Sequence, residues 1–218
     1  MVEKNVVQQG YDELGDAYAA HRSGEGQGMD VLSAFLEGVP ESARILDAGC
    51  GPGRPVLSHL TDEASAVGLD FSGGQLRLAA EHAPDASLAR GDMTALPFDD
   101  GAFDAAVAFW SLIHVPLTDH ETVIEEFARV LRPGGRLLVC EGTERWIGEN
   151  PDWLDSGVGM EWEIAGAEAT RKQLRDAGFE ITDSWGVPET LEDDAGDEAE
   201  DGEGESDDDW TFFAARLR

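Results

Sequence analysis

Residues 45–55 read ILDAGCGPGRP: an apolar pair, an acid, then glycine at 49, 51 and 53. Ordered glycine costs backbone entropy, so three at alternate positions imply that something must lie against bare backbone. The stretch stands between a predicted strand, ARILDA, and a predicted helix, PVLSHL, where a doubly wound fold carries its glycine-rich ligand loop. A dinucleotide fingerprint starting at Gly49 needs its third glycine at position 54, where Arg54 stands, and the G-K-[ST] of a phosphate loop is absent. Asp47, just before the glycines, would repel a pyrophosphate and attract a cationic group. The loop therefore suits a ligand carrying an adenosine and an amino acid better than one carrying phosphates.

Outward from this loop, strand and helix patterns alternate. ASAVGLD reads as a second strand, and SGGQLRLAAEHA as a helix opened by a capping box of Ser72 and Gln75. ASLAR is a short third strand, and FDAAVAFW is a continuous apolar run, the mark of a strand buried on both faces. TDHETVIEEFARVL predicts a helix with a second capping box, Thr118 and Glu121, followed by the strand RLLVCE. EATRKQLRDAG predicts the last helix, and FEITDSW and WTFFAARL the last two strands. Before the glycine loop, Val7, Tyr11, Leu14 and Tyr18 recur at helical steps from Val6 to His21, and a second short helix is expected from Met29 to Glu37. The expectation is one α/β domain over 1–218: a Rossmann-like doubly wound sheet of seven strands, mostly parallel, with a final antiparallel hairpin strand and helices on both faces. Ligands bind such sheets at the carboxyl ends of the strands.

Charge is the unusual global property. The chain has 46 acidic residues against 15 basic ones, of which only Lys4 and Lys172 are lysines, and a formal net charge of −31. Residues 188–209 hold 13 of the acids and no aromatic residue, which reads as a solvated hairpin insertion; without them, 33 acids still face 15 basic residues. Such a chain repels nucleic acid and anionic membranes, and the composition resembles that of proteins from salt-accumulating halophiles. Self-repulsion of this size predicts salt-dependent folding, since the Debye length shrinks to about 3 Å at 1 M salt. The longest apolar run, Ala105–Trp110, is far short of the ~20 residues of a membrane span, and MVEKNVVQQG lacks the apolar core of a signal peptide. The expectation is a soluble cytoplasmic protein. Cys50 and Cys140 have neither disulfide-scaffold nor metal-site spacing.

ILDAGCGPG, VGLDFS, ARGDMTALPF and RVLRPGGRLLV, in that order over residues 43–141, together resemble the motif set of the class I S-adenosylmethionine-dependent methyltransferases. The resemblance implies S-adenosylmethionine as cofactor and S-adenosylhomocysteine as product. Gly49, Cys50, Gly51 and Gly53 would let the backbone approach the methionine part, with Asp47 near its amino group; Cys50 fills a tight turn and is not a nucleophile. Asp70 would accept both ribose hydroxyls, a carboxylate offering two oxygens at the right pitch, or serve as a helix N-terminal acid. Phe71 would flank the adenine, Asp92 would bind its amino group or simply shape the GDMT turn, and Met93 would pack on the ring or offer its backbone N–H. Phe109 would close the floor beneath the sulfonium.

Residues 1–40 resemble the family's helical lid, with Tyr11, Tyr18 and Arg22 over the methionine end; ordinary amphipathic packing accounts equally well for Tyr11. Two roles stand open for His114: a base facing the acceptor, or a loop histidine that packs or caps. Residues 142–165 look like the variable substrate cap, in which Trp153, Met160 and Trp162, with Trp110, enclose a small acceptor or form core. The asparagine- or aspartate-Pro-Pro-aromatic signature of amide and adenine N-methylation is missing, since FWSLIH stands in its place. With the acidic surface, this points to a small-molecule methyl acceptor rather than nucleic acid or membrane, with no metal, for a monomer or homodimer. Two other readings are carried: a catalytically silent S-adenosylmethionine-binding regulatory or scaffold protein, and a nicotinamide enzyme, which Arg54 disfavours.

Overall fold

The computed structural model describes residues 2–20, 26–188 and 209–218. Helices α1 (Lys4–Ala20) and α2 (Gln27–Leu36) precede β1 (Arg44–Ala48), α3 (Val56–Glu63), β2 (Ser65–Asp70), α4 (Gly73–His82), β3 (Ser87–Arg90) and β4 (Phe103–Ala108). Two 3₁₀ turns, Leu112–His114 and Leu117–Asp119, lead into α5 (His120–Val130) and β5 (Leu131–Gly142). A hairpin of β6 (Trp146–Trp153) and β7 (Val158–Ile164), then α6 (Ala167–Asp176), β8 (Phe179–Val187) and β9 (Trp210–Leu217) complete the chain.

The main sheet has seven strands in the order β3-β2-β1-β4-β5-β9-β8. β1 pairs in parallel with β2 on one side and β4 on the other, with Ile45 opposite Ala105 and Asp47 opposite Val107. β9 runs antiparallel to both β5 and β8, because it returns from β8 as a hairpin. This is the expected Rossmann-like sheet with a final antiparallel strand. The chain winds outward from β1 to β3 and then returns to β4, so a crevice opens at the carboxyl ends of β1 and β4.

Central strands are buried on both faces, which explains their unbroken apolar character. Ile45, Val107 and Phe212 enter one cluster with Leu32 and Phe35 of α2 and Leu57 and Leu60 of α3. Their neighbours Leu46, Ala106 and Phe213 enter the opposite cluster with Val123 and Phe127 of α5 and Leu174 of α6. Full burial of a side chain such as Phe127 contributes about 1.5 to 3 kcal/mol. A third cluster joins Val7, Tyr11, Leu14 and Tyr18 to Trp153 and Met160, so the apolar stripe of α1 packs on the β6–β7 hairpin.

The local expectations are met unevenly. The Ser72 hydroxyl accepts the Gln75 N–H at 3.0 Å, but the return half of the capping box is not made. The Gln75 amide instead donates to the Tyr11 carbonyl at 3.0 Å, and the Ser72 N–H donates to Asp70 at 2.8 Å. No capping box forms at Thr118 and Glu121: α5 starts at His120, its N-cap is Asp119 without a side-chain cap bond, and Thr118 lies in the preceding 3₁₀ turn. Residues 142–165 hold two paired strands that the sequence pattern did not announce; they form a separate two-stranded sheet in which β6 is largely exposed and only the end of β7, where Ile164 is buried, reaches the main core. Arg22 and the acidic stretch from 189 to 208 lie outside the described residues.

Candidate active site

The glycine loop leaves β1 and is hooked onto the neighbouring strand, the Gly49 and Cys50 N–H groups donating to the Leu69 carbonyl at 2.8 and 3.0 Å. Gly49, Gly51 and Gly53 all have positive φ, at 78°, 51° and 82°. The three nevertheless serve different purposes. A Cβ on Gly49 would stand 2.3 Å from the Ser111 Cβ, and one on Gly53 would stand 2.7 Å from the Ala79 Cα of α4. Only at Gly51 is the space open, the nearest atom being a Tyr18 ring carbon at 3.8 Å. Gly49 thus admits the β4 turn, Gly53 admits helix α4, and Gly51 presents bare backbone to a cavity.

That cavity encloses about 690 Å³, its mouth included, over the crevice between β1 and β4. Gly49, Cys50, Gly51, Asp70, Phe71, Asp92, Met93, Phe109, Trp110, His114, Tyr11 and Tyr18 line it. Lys4, Leu69, Gly91, Ser111 and Val115 complete the wall. Asp47 and Gly53 are not part of it, the first being buried within β1 and the second turned to Ala79. Trp153, Met160 and Trp162 stand one layer back, with the Trp153 ring 5.9 Å from Tyr11 and 5.5 Å from Tyr18.

Asp70 ends β2 beside the glycine loop. Its two oxygens accept the N–H groups of Gly51 at 2.9 Å and Ser72 at 2.8 Å. Burial pushes its carboxyl up to about 6, the backbone bonds only partly opposing the desolvation. Burial likewise raises the Cys50 thiol, helped by the charges of Asp70 and Asp47, so it stays a neutral space-filler.

Asp92 lies after β3 in a tight turn, where one oxygen accepts both the N–H and the hydroxyl of Thr94 at 2.8 Å. The other oxygen meets the Lys4 ammonium at 3.0 Å. Burial alone would raise its carboxyl, but the Thr94 bonds and the Lys4 bond and charge outweigh it and hold it below the ordinary carboxylate range.

The turn after β4 carries the other wall. Trp110 has a φ of 47°, a left-handed conformation that costs a bulky residue on the order of 1 to 3 kcal/mol. The Ser111 hydroxyl donates to the Ala48 carbonyl at 2.8 Å, tying the ends of β1 and β4 together. His114 Nδ1 lies 3.2 Å from the Glu161 carbonyl, and its Nε2 lies 2.8 Å from the Tyr11 hydroxyl. A carbonyl only accepts, so in the neutral ring Nδ1 carries the hydrogen and Nε2 receives the Tyr11 O–H. Helix α1 and the turn after β4 therefore meet in one hydrogen bond at the cavity wall.

Lys4 and Ser111 also line the cavity, although no sequence motif singles them out. Lys4 carried a signal, as one of two lysines and seven residues, two helical turns, before Tyr11. Ser111 carried none. Among the described residues, no group of three or more His, Cys, Asp or Glu is placed to hold a metal, and no helix is long and apolar enough to cross a membrane.

A seven-stranded sheet of this order, with a glycine loop after β1 and an acid ending β2 at one cavity, defines the class I methyltransferase fold. Residues 45–135 match the protein family described as Methyltransferase domain. A demethylmenaquinone methyltransferase of Mycolicibacterium vanbaalenii is 43% identical over 100 residues, 46% of this chain and 42% of that protein. A tRNA (carboxymethyluridine(34)-5-O)-methyltransferase of Arabidopsis thaliana is 28% identical over 198 residues, 87% of this chain and 46% of that protein. The chain thus spans less than half the length of these two relatives. The solved structure of the [4+2]-cyclase SpnF superposes with a TM-score of 0.70 at 23% identity, covering 99% of this chain and 96% of that one, a likeness of fold. Over residues 45–135 the chain is thus similar to the methyltransferase domain family, and the sheet around that segment has the fold of these solved neighbours.

Proposed function

We propose that the protein binds S-adenosylmethionine in this cavity and transfers its methyl group to a small-molecule acceptor. The residues suit that cofactor: bare backbone at Gly51, a buried carboxylate at Asp70 for the ribose, the Asp92 turn with Phe71 and Met93 for the adenine, and no phosphate-binding cluster. When bound, the cofactor supplies a sulfonium methyl group that passes to a nucleophile by in-line displacement.

The observation that carries the reading is the Tyr11–His114 bond in the wall of the same cavity. Tyr11 and Tyr18 cover the Gly51 side as a lid, and Phe109 and Trp110 form the opposite wall. His114 Nε2, reached through the Tyr11 hydroxyl, takes the proton that a protic acceptor gives up, and the Glu161 carbonyl holds the ring in the required tautomer. Positioning and exclusion of water by this enclosure can supply roughly 7 to 11 kcal/mol. A small acceptor fits a charge of −31 better than a polyanion does, since each phosphate brought to this surface would be repelled.

The test is calorimetric titration with S-adenosylmethionine in molar KCl, NADH serving as control, followed by a methyl-transfer assay over a panel of small protic acceptors. Micromolar binding of the first alone, with turnover reduced at least tenfold in Tyr11→Phe and His114→Gln, is expected. A folded sample that binds neither compound would refute the assignment.

A further inference from the structure

Lys4 stands where the lid meets the rest of the site. Its ammonium lies 3.0 Å from an Asp92 oxygen, 3.0 Å from the Thr94 hydroxyl and 3.2 Å from an Asp119 oxygen. Asp92 and Thr94 belong to the connection between β3 and β4, whereas Asp119 belongs to the 3₁₀ turn before α5. One side chain of α1 therefore joins the Asp92 turn, which lines the cavity, to the 3₁₀ turn before α5. It also separates two carboxylates that would otherwise repel each other. The other lysine, Lys172, pairs with Asp176 on its own helix, far from the site in sequence and fold.

The two halves of α1 are attached differently. Near its middle, Asp12 accepts the Ser72 hydroxyl and the Gly74 N–H at the start of α4, and the Tyr11 carbonyl accepts from Gln75. These bonds pin α1 to a rigid helix end. At the amino end, the Val2 and Glu3 N–H groups bond Glu163 and Glu161 of the hairpin, so they hold the arm to β7 and not to the cofactor side. The tie to the cofactor side runs through Lys4, and its side chains are 30% exposed at Lys4, 40% at Asp92 and 39% at Asp119. Contacts that exposed are weakened by salt, whereas the buried bonds of Gln75 are not.

We propose that Lys4 is the latch of the lid: its bridge to Asp92 and Asp119 sets how long the cofactor stays bound, and ionic strength sets how often the bridge opens. The inference rests on the cavity being an S-adenosylmethionine site. Lys4 acts by positioning the lid and the Asp92 turn and takes no part in methyl transfer. Opening frees Lys4 and the Asp92 turn from one another, because that tie is electrostatic and half-exposed, while Val2 and Val7 keep the start of α1 packed on the hairpin.

The test is the dissociation rate of S-adenosylmethionine from the full chain, followed after mixing with excess unlabelled cofactor. Wild type, Lys4→Met, Lys4→Arg and Asp119→Asn are compared at several KCl concentrations where circular dichroism shows each folded. Lys4→Met is expected to release cofactor about fivefold faster than wild type at the lowest salt and to lose most of the wild-type dependence on KCl. Asp119→Asn, which leaves the Asp92 turn intact, should show part of the same effect, and Lys4→Arg should restore both rate and salt dependence. A Lys4→Met rate within 1.5-fold of wild type, with an unchanged salt slope, would overturn the latch while leaving the cofactor assignment standing. If Lys4→Met does not fold, an Asp119→Asn rate and salt slope equal to wild type overturn it in the same way. Folded wild type that binds no S-adenosylmethionine removes the assignment and the latch together.

Discussion

Lowering the pH from 7 to 5 should weaken S-adenosylmethionine binding about tenfold, through Asp70. Burial raises this carboxyl to about 6, against the pull of the Ser72 and Gly51 N–H groups, with the nearby Asp12 charge adding a smaller push upward. In the proposed site the ribose hydroxyls would donate to the ionised form, so the ligand would select the carboxylate. At pH 7 about nine tenths of the empty sites are ionised and at pH 5 about one tenth, which is one pKa unit's worth of binding, about 1.4 kcal/mol. The same shift bears on folding with a definite sign. The folded chain holds a proton here that the unfolded chain has released, so this group's contribution to stability falls as pH rises from about 4 to about 6. Calorimetry between pH 5 and 8, in two buffers of different ionisation enthalpy, measures both affinity and the protons released on binding. Asp70→Asn should bind on the order of tenfold more weakly at pH 7 and lose the slope. Wild-type affinity that is flat over this range, or an Asp70→Asn variant with the wild-type slope, would refute the reasoning.

The glycines provide a second test. Gly49→Ala forces a Cβ into Ser111 at φ 78° and should destabilise the fold by roughly 2 to 4 kcal/mol in denaturant titrations. Gly51→Ala, with open space and φ 51°, should cost only about 1 kcal/mol of stability while weakening cofactor binding at least tenfold; equal stability losses at the two sites would count against their different roles. Glu141, fully buried with one oxygen 3.7 Å from His120 Nδ1, is pushed up to about 8 by burial against the Gly142 N–H. Its folded value is raised, so its contribution falls as pH rises from about 4.5 to about 8. Glu141→Gln should therefore gain on the order of 1 to 3 kcal/mol relative to wild type at pH 8 and little at pH 4.5, read by calorimetric melting. The net charge of −31 predicts a melting temperature that climbs by many degrees between dilute buffer and 2 M KCl; a salt-independent melt would show that self-repulsion is not limiting.

Much of the fold was legible because it is encoded locally. Ile45, Leu46, Val107 and Phe213 read as continuous apolar strands since each central strand feeds clusters on both sheet faces. The ordering of strand and helix then left few topologies for a parallel sheet. The Thr118–Glu121 capping box failed for a tertiary reason: the 3₁₀ turn places Asp119 at the head of α5, in reach of Lys4. Gln75 had the right spacing for its box, yet its amide found the Tyr11 carbonyl of another helix.

The sequence by itself determined which residues would meet at the cavity floor, because Gly51, Asp70, Asp92 and Phe109 each lie at the carboxyl end of a strand or just past it, and a parallel sheet brings those ends to one edge. Only the tertiary structure decided what the glycines are for and what closes the site. Gly49 and Gly53 face Ser111 and Ala79, and Lys4 reaches Asp92 across 88 residues of chain as Tyr11 reaches His114 across 103. Periodicity and caps act over a few residues and leave marks in the sequence, whereas a contact between distant segments exists only once the sheet has set their distance and direction.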